Sequence, residues 1–180
     1  GLDLQPYLAN GQLTINHINP AELSPGEFTQ MLRDAVGKRA ARFIVIDSLN
    51  AYLQAMPGEQ FLILQMHELL SYLNQQGITT MMILGQHGMM SEARTDVDLS
   101  YLSDATVLMR FFEAGGQVRR AISVIKSRTT RHATTIHEMQ LGEGGVRIGT
   151  PLAGFEGVLT GIPNYHGHTP MMAQAANEST

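Results

Sequence analysis

The chain has 180 residues, 43% of them hydrophobic and 16% charged, which is enough apolar material to bury a core and argues against a disordered or fibrous chain. Its 12 Lys and Arg against 16 Asp and Glu leave a formal charge of -4, so no global basic field draws it to a phosphate backbone and nucleic acid is not an expected partner. The absence of cysteine excludes disulfides, thiolate zinc sites and cysteine nucleophiles together, and no apolar run nears the roughly 18 residues that span a bilayer, so a cytoplasmic protein with no membrane partner is expected.

In chain order, Gly1-Leu2-Asp3-Leu4 reads as the interior of a structured segment, which suggests an excised piece of a longer chain. Residues 13–18, β-branched and apolar after the Asn10-Gly11 turn, predict a short strand. Ser24, Pro25 and Glu27 then form a capping box with proline at the first helical position. Phe28, Met31, Leu32, Ala35 and Val36 fall on one face of the helix it opens. Phe43-Ile44-Val45-Ile46 is apolar without alternation, the pattern of a parallel strand buried on both faces, and it ends in Asp47. Past Pro57-Gly58, the residues Leu62, Met66, Leu69, Leu70 and Leu73 repeat at helical spacing as far as a C-cap at Gly77.

Residues 79–84 form a second buried strand, so strand, helix and strand predict a βαβ crossover and a sheet that is at least partly parallel. Residues 105–112, 119–128 and 134–141 read as strands joined by short turns, the first around Glu113-Ala114-Gly115-Gly116. They predict an antiparallel extension that closes the same sheet. From Pro163 onward the composition of Pro, Gly, His, Asn and Ser predicts a surface tail.

Asp47 is the most informative residue for chemistry. An acid directly after an apolar parallel strand sits at the carboxyl edge of the sheet, where open α/β folds bind ligands, and in phosphoryl-transfer enzymes an acid there orients Mg²⁺ against nucleotide phosphates. The ordinary alternative, a strand-end Asp accepting turn amides, stands at even weight. Ser48 either bonds a metal-bound water or caps the next turn. Gln86, just past the second buried strand, is expected at the same edge, where an amide senses a γ-phosphate or simply ends the strand; His87 beside it has no evident partner. In Lys126-Ser127-Arg128-Thr129-Thr130-Arg131-His132, strand alternation would send Lys126 and Arg128 to one face, as a polyphosphate requires. Charge that protects an edge strand is the commoner explanation.

The phosphate-cradling G-x-x-x-x-G-K-[ST] is absent, since Gly37-Lys38 is followed by Arg39 and lacks the earlier glycine. Gly142, Gly144 and Gly145 suggest a turn rather than a dinucleotide fingerprint. His166-x-His168 has no third ligand at diagnostic spacing, so no structural metal is expected.

Taken together, these segments resemble the KaiC-like branch of the RecA-type ATPases, named for the bacterial circadian clock protein. Phe43-Ile44-Val45-Ile46-Asp47-Ser48-Leu49 is similar to its Walker B strand, and the leucines from Leu69 followed by Gly77-Ile78-Thr79-Thr80 to the next helix and strand. Leu102-Ser103-Asp104-Ala105 resembles its turn into the following strand. Lys126-x-Arg128 with His132 resembles its Lys-x-Arg-Gly-x-x-His segment, with Thr129 in place of the glycine, and Gly145-Val146-Arg147-Ile148 resembles the closing strand. Gln86 stands where the family often has an acid.

The resemblance implies an α/β, RecA-like P-loop NTPase sheet, parallel in its core with antiparallel C-terminal strands, and truncated at its N-terminus. Residues 1–162 would be part of one ATPase domain and 163–180 a tail, with the Walker A loop and catalytic glutamates upstream of Gly1. It implies ATP and Mg²⁺ as cofactors of the intact parent, with Asp47 holding Mg²⁺ through water, Ser48 beside it and Gln86 sensing the γ-phosphate. Lys126 and Arg128 would be trans-acting fingers on a neighbouring subunit's nucleotide, with His132 next to them. The expected parent is a homo-oligomer of hexameric ring type, an ATPase and possible autokinase with a signalling partner, and this chain alone would show little activity. A scaffold that has lost catalysis is the first rival. A recombinase-type DNA-dependent ATPase is the second, although the loop of residues 87–98 carries one Arg against Glu92, Asp96 and Asp98.

Overall fold

The computed structural model describes residues 3–19, 22–54, 59–85, 102–160 and 162–166. It divides into two compact units, one of Thr14–Gly85 and one of Gly1–Leu13 with Gln86–Thr180.

In the first unit, helix α2 (Pro25–Arg39) begins with the expected capping box. Ser24 Oγ accepts from the Glu27 amide at 3.3 Å, and the Ser24 amide donates to Glu27 Oε2 at 2.8 Å. The Ser24 bonds hold the Glu27 carboxyl below the usual carboxylate range. Its contribution to stability is therefore present above that range and is lost as pH falls through the lowered value. Ser24→Ala should cost about 1 kcal/mol in chemical denaturation and flatten the acid limb of the stability profile.

Strand β1 (Phe43–Asp47), the short helix α3 (Leu49–Gln54), helix α4 (Glu59–Gln75) and strand β2 (Thr79–Ile83) follow. The leucine and methionine stripe of α4 is buried at Leu62, Met66, Leu69 and Leu73. Gly77, at φ 69°, closes α4. Its amide donates to Asn74 O and that of Ile78 to Leu73 O, both at 2.9 Å, a Schellman pair that requires the left-handed residue between them.

β1 and β2 pair in parallel, Phe43 opposite Thr79 through Asp47 opposite Ile83, as the crossover argument expects. Burial on both faces does not hold. Ile44 and Ile46 are buried, but Phe43 and Val45 are 57% and 48% exposed, and Met81 and Ile83 on the same face of β2 are exposed too. An unbroken apolar run shows that a strand tolerates cover on both sides, and the helical layer that touches β2 covers one.

Residues 13–18 are not a strand. Their β propensity meets no partner in the sheet pairings of the described residues, and Ile15 and Ile18 stay exposed. Helix α1 (Gln5–Ala9), which the sequence did not announce, starts with Asp3 Oδ1 accepting from the Gln5 amide at 3.0 Å.

The second unit carries a four-stranded antiparallel sheet in the order β3 (Ala105–Ala114), β4 (Gln117–Ser127), β5 (His137–Gly142), β6 (Gly145–Pro151). Gly115 and Gly116, at φ 60° and 70°, make the two-residue turn between β3 and β4 that only left-handed residues allow. Alternation along β3 buries Arg110, Phe112 and Ala114 and exposes Val107, Met109 and Phe111.

The core of this unit joins Phe112, Ala114, Ala121, Leu152 and Val158, with Phe155 edge-on to Phe112 at 5.7 Å. Strand β7 (Phe155–Glu156) pairs with β8 (Asn164–Tyr165), which stacks Tyr165 on Phe155 at 4.6 Å and orders the start of the stretch expected as a tail. The antiparallel strands were expected to close the parallel sheet. Among the described residues they instead form their own hydrogen-bonded sheet, and β1–β2 and β7–β8 are separate two-stranded sheets.

Candidate functional site

Asp47 is the last residue of β1, at the carboxyl edge of the parallel pair, and it is exposed on the same face as Phe43 and Val45. Ser48, half-buried, follows across a cis peptide bond and leads directly into α3. This is the strand-end acid that the sequence pattern expects. Gln86 and His87 lie outside the described residues.

The end of β2 is held by a contact that nothing in the sequence announces. Asn50, in the first turn of α3, donates through Nδ2 to Gly85 O at 2.8 Å and accepts at Oδ1 from Gly85 N at 2.7 Å. An asparagine near the start of a helix reads as an ordinary capping residue, and its partner lies 35 positions along the chain. No local signal could find it.

In the other unit, Lys126 is half-buried in β4, opposite Thr106 on β3. β4 ends at Ser127, and the β3–β4 register shift between Thr106 and Val107 falls on the Val124 side of Lys126. Arg128 comes next, one rung beyond Ala105 opposite Ser127. Its amide donates to Asp104 O at 2.8 Å, and its guanidinium approaches Asp104 Oδ1 at 4.0 Å. Arg128 is about half exposed, with 52% of its side chain open. Ser127 and Thr130 hydroxyls bond at 2.9 Å and brace the turn, and His132 beyond it is half-buried. The geometry thus groups Asp47, Ser48 and Asn50 with Gly85 in one unit, and Lys126, Arg128 and His132 along one strand end and turn in the other.

An exposed strand-end carboxylate beside a hydroxyl suits Mg²⁺, which is held by one or two carboxylates together with waters and phosphate oxygens rather than by an all-protein cage. No described helix is long and apolar enough to cross a membrane.

The chain is similar to known proteins over most of its length. A family model described as the ATPase KaiC matches residues 1–153. The chain is 28% identical over 171 residues to the circadian clock protein KaiC3 of Synechocystis sp., an alignment that covers 92% of this chain and 33% of that protein. It is 26% identical over 172 residues to the circadian clock oscillator protein KaiC of Picosynechococcus sp., with 91% and 32% covered. The same identity, over 167 residues with 91% and 32% covered, relates it to KaiC of Thermosynechococcus vestitus. The chain spans about one third of the length of these relatives.

Proposed function

The chain belongs to the KaiC ATPase family, and from that membership we propose that it forms part of an oligomeric ATPase whose nucleotide lies against the carboxyl edge of β1 and β2. The observation that carries this reading is Asp47, an exposed carboxylate ending a strand of a parallel pair, at the edge where open α/β folds take their ligands.

In this reading Asp47 holds Mg²⁺ through water, and Ser48 bonds a water beside it. Mg²⁺, when bound, neutralises charge on the phosphates that the reaction redistributes. Gln86 senses the γ-phosphate. Lys126 and Arg128 act on the nucleotide of an adjacent subunit in a ring of hexameric type, with His132 beside them, and the half-exposed side chain of Arg128 is suited to that reach. Water attacks the γ-phosphate, or a protein hydroxyl does so in an autokinase, and a signalling protein is the further partner. The chain alone hydrolyses little ATP, because its sequence holds no G-x-x-x-x-G-K-[ST] to grip the phosphates.

Asp47→Ala in the intact protein should lower ATP turnover by about 10²- to 10³-fold, the loss typical of one electrostatic contact made in the transition state. Steady-state hydrolysis measured with saturating Mg²⁺ checks this, and unchanged turnover removes Asp47 from the site.

A further inference from the structure

We propose that Asn50 is a positioning residue for the nucleotide site, holding the exit of β2 against the turn that carries Asp47 and Ser48; this rests on the reading of Asp47 above. Backbone pairing of the two strands ends at Asp47 opposite Ile83. Beyond that rung the chain turns from β1 through Ser48 into α3, and the chain leaving β2 runs on through Leu84 to Gly85. Asn50 bridges the two paths there. Its carboxamide gives Gly85 a donor at 2.8 Å and an acceptor at 2.7 Å, the pair of bonds that a neighbouring strand would offer.

A primary carboxamide is the side-chain group that carries a neutral donor and a neutral acceptor side by side on one plane. Two bonds to one residue fix an angle as well as a distance. Glycine is not what makes the approach possible: a Cβ on Gly85 would meet Asn50 Oδ1 at 3.6 Å, an ordinary contact. The bonds are also exposed, so water replaces them when they are lost and their net effect on stability is small. What they do set is the separation of two strand ends. A site assembled from such ends depends on that separation, since a misplacement of about 1 Å can cost about 10²-fold in rate.

The test uses Asn50→Leu in the intact protein, a residue of similar size that makes neither bond. Without nucleotide, amide exchange at Gly85 should rise by about tenfold as the tether opens. With Mg²⁺ and ATP, kcat should fall about 10- to 100-fold, while the nucleotide Kd stays within about two-fold and the thermal midpoint holds, the pattern of a lost transition-state alignment. Asn50→Asp, which keeps the acceptor and loses the donor, should fall between.

Faster exchange at Gly85 with wild-type kcat overturns the proposal. So does a loss of activity that only tracks a loss of folded protein. Asp47→Ala run in parallel separates the two readings. If it abolishes hydrolysis and Asn50→Leu does not lower kcat, only the positioning role fails. If it leaves hydrolysis intact, the nucleotide site fails and the role of Asn50 falls with it.

Discussion

Glu138→Ala should cost about 3–5 kcal/mol of unfolding free energy, because it removes one partner of a buried ion pair and strands the other. Arg119 Nη1 donates to Glu138 Oε1 at 2.7 Å, and the two side chains are only 13% and 4% exposed. Their positions follow from the sheet register. Ala121 lies opposite both Arg110 on β3 and Glu138 on β5, and Arg119 is two residues before it on β4. Directly opposed residues share a face, as do residues two apart. Three long polar side chains therefore gather around one buried alanine, whose small size leaves them room.

Two of those side chains are guanidinium groups, and Arg110 is itself buried. Arg119 bonds the Glu138 carboxylate through Nη1, while Gln117 Oε1 takes a second bond from Arg119 at 2.9 Å. Replacing both partners with apolar residues, Arg119→Met with Glu138→Leu, should recover most of the loss, since no buried charge is then left over from the pair. Urea unfolding at constant m measures both variants. A loss below about 1 kcal/mol for Glu138→Ala would mean that the pair behaves as an exposed one.

The parts of the fold that were legible in the sequence are those whose cause lies within a few residues. The Ser24 and Glu27 box, the Gly77 stop and the Gly115-Gly116 hairpin each join groups separated by less than one or two turns of chain, and each forms as expected. Residues 13–18 show the opposite limit, because strand propensity has no effect without a ladder to join. The outer face of β1 shows a third: Phe43 and Val45 state what the strand would accept as cover, and composition does not say whether cover is there.

The site divides in the same way. Asp47 was legible because a strand and its last residue are local features. The clamp from Asn50 to Gly85 spans 35 residues and the pair of Arg119 with Glu138 spans 19, so both appear only once pairing and register are known. The period of a strand puts Lys126 and Arg128 on one face; β4 ends at Ser127, and the Arg128 amide bonds Asp104 O one rung beyond it.

Arg128→Ala in the intact protein should lower ATP hydrolysis by about 10³- to 10⁵-fold, the range lost with an arginine finger. Stability should scarcely change. The guanidinium contact to Asp104 is long, at 4.0 Å, and exposed, while the bond from the Arg128 amide to Asp104 O belongs to the backbone and survives the substitution. Such surface changes stay within about 0.5 kcal/mol. A large kinetic loss with little structural loss would separate a finger from an arginine that merely guards the end of a strand.

Mixing then decides whose nucleotide Arg128 serves. A protein carrying Arg128→Ala keeps Asp47, and one carrying Asp47→Ala keeps Arg128, so each assembly alone lacks half of every site. If the finger acts across a subunit boundary, random one-to-one mixing leaves about one quarter of the boundaries with an intact Asp47 facing an intact Arg128. Hydrolysis should return toward that fraction of the wild-type rate once subunits exchange. If Arg128 instead served the nucleotide held by its own subunit, every subunit in the mixture would still carry one defect and no recovery would follow. Mixed assemblies that exchange subunits, as shown by energy transfer between labelled copies, and yet stay inactive would overturn the trans assignment of Arg128.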